Sequence, residues 1–236
     1  MSFSLIVPAA ANKPEYENNI PSVFRLNEKG ISVCVEAALS LGINQFASIY
    51  FTILKIHDER YGISDMLNMQ FRRLGMTNAK VVVLDEPTSS QAETIYATIT
   101  KESVHGAIFI KDADCSFGVE IFPHNGIVVY PLEKLSMVNP QHKSYVAVDD
   151  MLYITNTIEK RVIDHYFNAG GYCFEDAETF ISYYERFPGM HGLYLSHIIY
   201  AMLLDGHIFR PFIAENYKEA LKPGGYLCFE FGMGQG

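Results

Sequence analysis

Cysteine is scarce in this sequence and is not arranged in pairs. The four cysteines among the 236 residues, Cys34, Cys115, Cys173 and Cys228, are widely spaced and form no CxxC pair. A disulfide framework and a zinc site are therefore both unexpected. We expect a reducing compartment, most simply the cytoplasm.

Long apolar runs and familiar catalytic motifs are also missing. No run of 18 apolar residues occurs, so no transmembrane helix is expected. The opening MSFSLIVPAAANKPEY has no basic segment before its short apolar run, which predicts a first strand and not a signal peptide. No GxSxG, P-loop or GxGxxG motif is present, and the histidines form no HxH or HxxxH pair.

Positive charge is sparse as well. The formal net charge is −9, and no run of Lys and Arg is longer than two residues. Binding of nucleic acid or of an anionic membrane needs a basic surface, so neither partner is expected. An anionic small molecule remains possible, because one metal ion and two lysines can neutralise it locally.

The residues that are present predict one α/β domain spanning 1–236. The chain is 49% hydrophobic and 19% charged, which is typical of a globular protein. In the first half, predicted strands alternate with predicted helices, which favours βαβ units and a parallel sheet. These strands lie within 3–11, 45–54, 79–86 and 106–114, and the helices within 32–42, 64–75 and 89–100. The less regular second half predicts strands at 126–132, 144–149, 151–159 and 170–176 and helices at 177–187 and 193–206, with no clear linker.

The predicted strand that contains IFIKDAD ends in charged residues. Gly106 to Ile110 are small or apolar, and Lys111, Asp112, Ala113 and Asp114 follow directly. In parallel α/β sheets ligands lie beyond the carboxyl ends of the strands, where carboxylates can hold Mg²⁺ against phosphate. The alternative is a solvated turn, and the DxD pair alone does not decide between the two.

Three further segments carry candidate binding residues. After the first strand, Ala9 to Lys13 could let backbone N–H groups approach an anion, or could be a packing turn. Ser89, Ser90 and Gln91 begin a predicted helix, where they could meet a polar ligand or simply cap the helix. Glu159 and Lys160 end a strand and precede Gly170 and Gly171, which indicates either a substrate site or a surface ion pair and a bulge.

In order and spacing, four segments resemble the nucleotidyltransferase superfamily with a GT-A-type fold, in particular bacterial sugar-1-phosphate nucleotidyltransferases and their capsule-locus relatives. The segments are LIVPAAA, TSSQAETIYATI, IFIKDAD and TIEKRVIDHYFNAGGYCF, within 4–174. The resemblance implies a three-layer α/β/α Rossmann-like fold around a mostly parallel mixed sheet. It also implies a nucleotide-binding half (1–120), an acceptor-binding half (121–236), Mg²⁺ as cofactor and a role in polysaccharide biosynthesis.

The resemblance also implies roles for single residues. Catalytic roles would fall to Asp114, Lys13 and Lys160, and metal binding to Asp114, assisted by Asp112 or Glu219. The implied nucleotide-binding residues are Ala9, Ala10, Ala11, Asn12, Ser89, Ser90, Gln91, Lys111 and Asp112. The implied substrate-binding residues are Glu159, Lys160, Gly170, Gly171 and Tyr172. The expected partners are a nucleoside triphosphate, a phosphorylated small-molecule acceptor and, as an option, further copies of the chain.

Two segments depart from the family pattern. The family loop after the first strand is rich in glycine and carries an arginine and a Pro-Lys pair, whereas this chain has AAANKPEYENNIPSVFRLN. Near the C-terminus NYKEALKPGG offers Glu219 but no Trp or Thr. Three hypotheses therefore stand: a nucleotidyltransferase, a GT-A glycosyltransferase that uses a finished sugar nucleotide, and a catalytically weak nucleotide-binding member of the family.

Overall fold

The fold is built from alternating strands and helices in the first half and from a strand-rich second half. A computed structural model describes residues 3–13, 19–135 and 143–219. The strands are β1 (Phe3–Pro8), β2 (Phe46–Leu54), β3 (Ala79–Leu84), β4 (Ile108–Lys111), β5 (Cys115–Gly118), β6 (Gly126–Pro131), β7 (Ser144–Val148), β8 (Ile154–Glu159), β9 (Tyr166–Phe174), β10 (Arg210–Ile213) and β11 (Glu215–Glu219). The helices are α1 (Val33–Leu39), α2 (Lys55–Tyr61), α3 (Ile63–Leu74), α4 (Gln91–Glu102), α5 (Ala177–Tyr184) and α6 (Leu195–Leu204).

One mixed sheet joins the two halves of the chain. Its main path runs β10-β6-β9-β4-β1-β2-β3, and β7 and β8 extend it from β9. The pairs β1–β2, β1–β4, β2–β3 and β6–β10 are parallel, whereas β9 is antiparallel to both β4 and β6. The sheet is therefore mostly parallel, as predicted, and β9 is the one reversed strand on its main path. A separate antiparallel pair, β5 with β11, lies beside the end of β4.

The two faces of the sheet are covered by different helices. Leu5 and Val7 of β1 belong to one buried cluster with α1 and α3, whereas Ile6 belongs to a second cluster with α4, α5 and α6. This alternation follows from the two-residue period of side chains along a strand. The expected three-layer α/β/α architecture is thus confirmed.

Several elements differ from the sequence-based prediction. The strand β9 begins at Tyr166, four residues before the predicted start at Gly170, and α2, β5, β10 and β11 were not predicted. The helix α2 is a short polar segment directly after β2, and Gly62, with φ of +63°, separates it from α3. The strands β5, β10 and β11 are four or five residues long, so their hydrophobic periods are too brief to identify them. Within the described ranges, no helix is long and apolar enough to cross a bilayer.

Candidate active site

The centre of the site is the turn that follows β4. Lys111 is the last residue of β4, and Asp112, Ala113 and Asp114 connect it to β5. The backbone N–H of Asp112 donates to the carbonyl of Gly170 at 2.8 Å, which anchors this turn to β9. Asp112 is half-buried and Asp114 is exposed. Both carboxylates thus lie at the carboxyl end of a central parallel strand, where the DxD pattern predicted a ligand site.

Gly170 makes room for Asp112. It has φ of +86°, and a Cβ there would lie 2.7 Å from Oδ2 of Asp112 and 2.9 Å from Sγ of Cys115. Its neighbour Gly171 faces the interior, because a Cβ there would lie 2.5 Å from Cγ2 of Val128. The two glycines were predicted to let a ligand or another backbone come close. Gly170 leaves space for Asp112, and Gly171 leaves space for core packing.

Gln91 orients Asp112. Its Nε2 donates to Oδ1 of Asp112 at 2.6 Å, from the first turn of α4. Burial, and secondarily the charge of Asp114, raise the pKa of Asp112 above its usual range. A bound cation favours the ionised form of a carboxylate in such a setting. Gln91, which was expected to meet a nucleotide base, here holds a carboxylate in place.

A first pocket of about 410 Å³ opens on one side of the aspartates. It is formed by the end of β1, the start of α4, the 3₁₀ turn Ser22–Phe24 and the turn after β4. All the predicted nucleotide-binding residues except Lys111 line it, together with Lys13 and Asp114. Its other lining residues are Pro8, Pro21, Ser22, Val23, Thr88, Thr94 and Ala113.

The described part of the loop after β1 has a backbone conformation that alanine can adopt. Ala9 and Ala10 are buried, and the N–H of Ala9 donates to the carbonyl of Thr52 at 2.8 Å. No residue of 9–13 or 19–25 has a positive φ. The glycines of the family loop are therefore not needed in these described parts of it. Asn12 and Lys13 are exposed at the pocket wall.

The serines at the start of α4 serve the helix itself. Ser90 is the N-cap, and its Oγ accepts from the N–H of Glu93 at 3.2 Å. The N–H and Oγ of Ser89 both donate to Oε2 of Glu93, at 2.5 and 2.7 Å. These bonds satisfy donors that a helix start otherwise leaves unpaired. Capping thus accounts for both hydroxyls, although both residues also line the first pocket.

A second pocket of about 160 Å³ lies on the other side of the same aspartates. It is formed by the turn after β4, the start of β7, the middle of β9 and the strand β11. Its lining residues are Asp112, Asp114, Cys115, Lys143, Ser144, Asn168, Ala169, Gly170, Tyr172, Tyr217 and Glu219. Asp112 and Asp114 line both pockets, so a group in one pocket and a group in the other would both contact the aspartate pair.

Lys143 is a site residue that the sequence did not reveal. Its Nζ donates to the hydroxyl of Tyr217 at 2.7 Å and forms an ion pair with Glu219 at 3.2 Å. Only 12% of its side chain is exposed. In the sequence Lys143 follows the polar segment NPQH and belongs to no motif, so it gave no signal there. Only the long-range placement of β11 beside the turn after β4 brings Lys143 to the aspartates.

Lys111 and Lys160 do not lie where the sequence placed them. Lys111 is fully buried, and its Nζ donates to the carbonyl of Cys115 at 2.7 Å and lies 4.4 Å from the ring centroid of Phe117. It therefore braces the turn from within and offers no direct contact to a nucleotide. Lys160 is exposed, with its Nζ 5.6 Å from the ring centroid of Tyr194, and it lines neither of the two pockets.

Glu159 is tied to the wall of the second pocket. Its Oε1 accepts from the hydroxyls of Ser144 and Ser196, each at 2.6 Å. Ser144 lines the second pocket, whereas Glu159 lines a separate cleft between β8 and α6. Tyr172 lies deeper in the second pocket, where burial raises the pKa of its phenol well above the usual range, so the hydroxyl stays a neutral donor.

The aspartate pair fits a magnesium ion bound with a substrate. Mg²⁺ commonly takes one or two protein carboxylates and completes its shell with waters and phosphate oxygens. Asp112 and Asp114 supply that number of carboxylates. Among the described residues, no three His, Cys, Asp or Glu side chains converge on one point. Glu219, predicted as an assisting ligand, lines the second pocket with the two aspartates and forms an ion pair with Lys143.

Comparison with known proteins identifies the fold. No family model matches the sequence, and neither does any curated protein. The structure is similar to that of a nucleoside-diphosphate-sugar pyrophosphorylase from Vibrio cholerae RC9, with a TM-score of 0.74 and 16% identity, over 92% of this chain and 95% of that one. It is similar to the inositol-1-phosphate CTP transferase of T. maritima, with a TM-score of 0.73 and 18% identity, over 93% and 89%. The chain has the fold of sugar-phosphate nucleotidyltransferases.

The nucleotidyltransferase fold accommodates different substrates with little sequence in common. A third similar structure is a UDP-glucose pyrophosphorylase complexed with UDP-glucose, with a TM-score of 0.70 and 8% identity, over 91% of this chain and 92% of that one. The names of the latter two proteins specify different nucleotides and different partner groups, CTP with inositol 1-phosphate and UDP with glucose. At sequence identities this low, the similarity shows the fold, and the chemistry of this chain must be argued from its own residues.

Proposed function

We propose that this protein joins a nucleoside triphosphate to a phosphorylated small molecule, a sugar phosphate, and releases pyrophosphate in a Mg²⁺-dependent reaction. The observation that carries the proposal is that Asp112 and Asp114 line two adjoining pockets at once. Transfer between two phosphates needs both phosphates beside one charge-neutralising centre. The similarity of the fold to that of sugar-phosphate nucleotidyltransferases supports the same reading.

The first pocket is assigned to the nucleotide. Its volume of about 410 Å³ is in the range of small-molecule sites, whereas 160 Å³ is too small for a whole nucleotide. Asn12, Lys13 and the start of α4 would face the phosphates and the base. The second pocket would then hold the phosphate of the acceptor beside Asp112 and Asp114.

The chemistry is an in-line displacement. An oxygen of the acceptor phosphate attacks the α-phosphorus of the triphosphate, a new phosphorus–oxygen bond forms, and the bond to the bridging oxygen breaks so that pyrophosphate leaves. When bound, Mg²⁺ neutralises the phosphate oxygens. The protein positions both phosphates: Gln91 orients Asp112, Lys111 braces the turn from within, and Lys13 lies at the wall of the first pocket.

Replacing Asp114 tests the proposal. Asp114→Asn should lower the rate of pyrophosphate release by about 10²–10³, the usual cost of losing one preorganised electrostatic contact, and leave the thermal unfolding midpoint nearly unchanged because the side chain is exposed. Pyrophosphate is measured with each of the four ribonucleotides and dTTP, Mg²⁺ and a panel of phosphorylated sugars. The matched control is Asp150→Asn, an exposed aspartate that lines neither pocket.

The same assay separates the alternatives. Release of pyrophosphate that depends on one acceptor and on Asp114 supports the nucleotidyltransferase. Breakdown or transfer of a finished sugar nucleotide, with no pyrophosphate from any triphosphate, would indicate a glycosyltransferase. Binding of a triphosphate without turnover of any acceptor in the panel would indicate a nucleotide-binding member of the fold that does not catalyse this transfer.

A further inference from the structure

The second pocket contains a cation and a buried donor that the sequence resemblance did not assign. Lys143 is the one cationic side chain among the described residues that line this pocket. Asn168 lines it too and is 7% exposed. Its Nδ2 makes no hydrogen bond of ordinary geometry with any described residue, although the Asn168 side chain makes a looser hydrogen-bond contact with the phenol of Tyr172 and lowers the pKa of that phenol. An amide nitrogen carries two N–H donors, so at least one of them is left for a ligand.

Asn168 is held in place by β9 at the wall of the pocket. Its Oδ1 accepts from the N–H of Gly170 at 2.8 Å, which fixes the amide. The same residue, Gly170, gives Asp112 its space and accepts the N–H of Asp112. One local arrangement of β9 therefore positions both Asp112 and Asn168, which line the same pocket.

Lys143 is also held in place before any ligand binds. Its Nζ lies 5.1 Å from the ring centroid of Phe167 and 5.0 Å from that of Tyr217, besides its bonds to Tyr217 and Glu219. An ammonium carries three N–H groups, and these two bonds to described residues use two of them. The charge of Lys143 also acts on Asp112, whose pKa it lowers against the larger raising effect of burial. Lys143 thus lies close to the aspartate pair.

We propose that Lys143, rather than Lys160, holds the phosphate of the acceptor, together with the side-chain amide of Asn168. This inference rests on the proposed function, in which the second pocket receives the acceptor phosphate. Lys160 is exposed, has φ of +59° and rests over the ring of Tyr194, outside the pocket. The volume of the second pocket, about 160 Å³, equals the volume of roughly five water molecules in the liquid. A phosphate group and a few further atoms fit in that space.

The test is a set of binding titrations that does not depend on turnover. Inorganic phosphate, glucose 1-phosphate and inositol 1-phosphate are each titrated by calorimetry into the protein with Mg²⁺ and an α,β-methylene nucleoside triphosphate. Lys143→Met should weaken binding of the phosphate probes about 10–100-fold, the scale of a lost charged hydrogen bond. Lys160→Met, the matched control, should change it less than threefold. Binding of the triphosphate analogue with Mg²⁺ should change less than threefold in both variants.

A second variant covers the case in which Lys143→Met fails to fold. Asn168→Asp keeps the shape of the side chain and its acceptor for Gly170, but replaces the N–H donors of the amide with a negatively charged oxygen. It should weaken every phosphate probe at least tenfold, while Asn168→Ser, which keeps a donor, should weaken them less. Thermal unfolding of each variant shows whether the fold is retained.

Several results would overturn the inference. It is wrong if Lys160→Met weakens the phosphate probes and Lys143→Met does not, or if Lys143→Met weakens the triphosphate analogue as strongly as the phosphate probes. It is also wrong if the parent protein binds the triphosphate analogue but none of the three probes. In that last case the protein still binds the nucleotide, and only the assignment of the acceptor phosphate to the second pocket is wrong. If the parent protein does not bind the triphosphate analogue at all, the proposed function itself is contradicted.

Discussion

Asp112 is kept at a cost to the stability of the metal-free protein. Burial and the neighbouring Asp114 raise its pKa, which means that the folded state disfavours the ionised form. Asp112→Asn removes that charge, and the amide oxygen can still accept from Nε2 of Gln91. We expect the free energy of unfolding at neutral pH, in EDTA, to rise by about 1 kcal/mol, and Mg²⁺-dependent nucleotide binding to weaken.

Asp114→Asn is the control for this stability measurement. Asp114 is exposed, so its ionised form is solvated and its removal should raise stability less than removal of Asp112 does. Urea titrations in EDTA measure both variants. A decrease in stability for Asp112→Asn would show that the carboxylate contributes to the folded turn and does not strain it.

At the scale of single residues, the sequence predicted which side chains could carry the chemistry better than it predicted the contacts of those side chains. The DxD pattern placed Asp112 and Asp114 correctly at the end of a central strand, because an apolar run directly before two carboxylates is a local signal. It could not show that Lys111 turns inward to Cys115, since direction depends on packing against β5. Lys143 had no local signal at all, because its neighbours Tyr217 and Glu219 are more than 70 residues away in the chain.

At the scale of elements, Asp164 links the loop between β8 and β9 to β7. Its Oδ2 accepts from the N–H of Val148 at 3.0 Å, and its Oδ1 accepts from the N–H of His165 at 2.6 Å. The bond from Val148 is the main cause that lowers the pKa of Asp164 below its usual range. The strands it connects carry Lys143's neighbour Ser144 and also Asn168, so Asp164 helps to position the second pocket.

This lowered pKa gives a pH dependence with a definite sign. A carboxylate whose pKa is lower in the folded state than in the unfolded state stabilises the fold above the unfolded pKa, near 3.9, and loses that contribution as pH falls through the folded value. Asp164→Ala should therefore lower the free energy of unfolding by roughly 1 kcal/mol at pH 7, and the difference from the parent should shrink below about pH 4. Urea unfolding at pH 7, 5 and 3 measures it. A constant difference at all three values would mean that the charge of Asp164 contributes nothing.

The elements that build the second pocket explain why it was harder to predict than the first. The first pocket comes mainly from the ends of β1 and β4 and the start of α4, which belong to the regular alternation of strands and helices in the first half. The second depends on β9 running antiparallel between β4 and β6, and on β11 pairing with β5. Such pairings are set by tertiary packing, and a short polar strand such as Glu215–Glu219 has no period that could reveal them.

At the scale of the whole molecule, the charge of the chain opposes its proposed substrates. The net charge is −9, and Lys13 is the one cationic side chain among the described residues that line the first pocket, beside Asp112 and Asp114. A nucleoside triphosphate carries about four negative charges near neutral pH. Without a cation between them, the triphosphate and the aspartates repel each other across a partly desolvated pocket.

Nucleotide binding should therefore depend on Mg²⁺ through these two carboxylates. We expect the dissociation constant for a triphosphate analogue to be at least tenfold weaker in EDTA than in Mg²⁺, a difference of about 1.4 kcal/mol or more. The double variant Asp112→Asn with Asp114→Asn removes both the metal ligands and the repulsion. It should bind the analogue about equally in EDTA and in Mg²⁺, and in EDTA it should bind more tightly than the parent. Calorimetry under both conditions, at one ionic strength, gives the four constants. Equal binding by the parent with and without Mg²⁺ would contradict the assignment of the aspartate pair, because the repulsion that the metal is expected to relieve would then be absent.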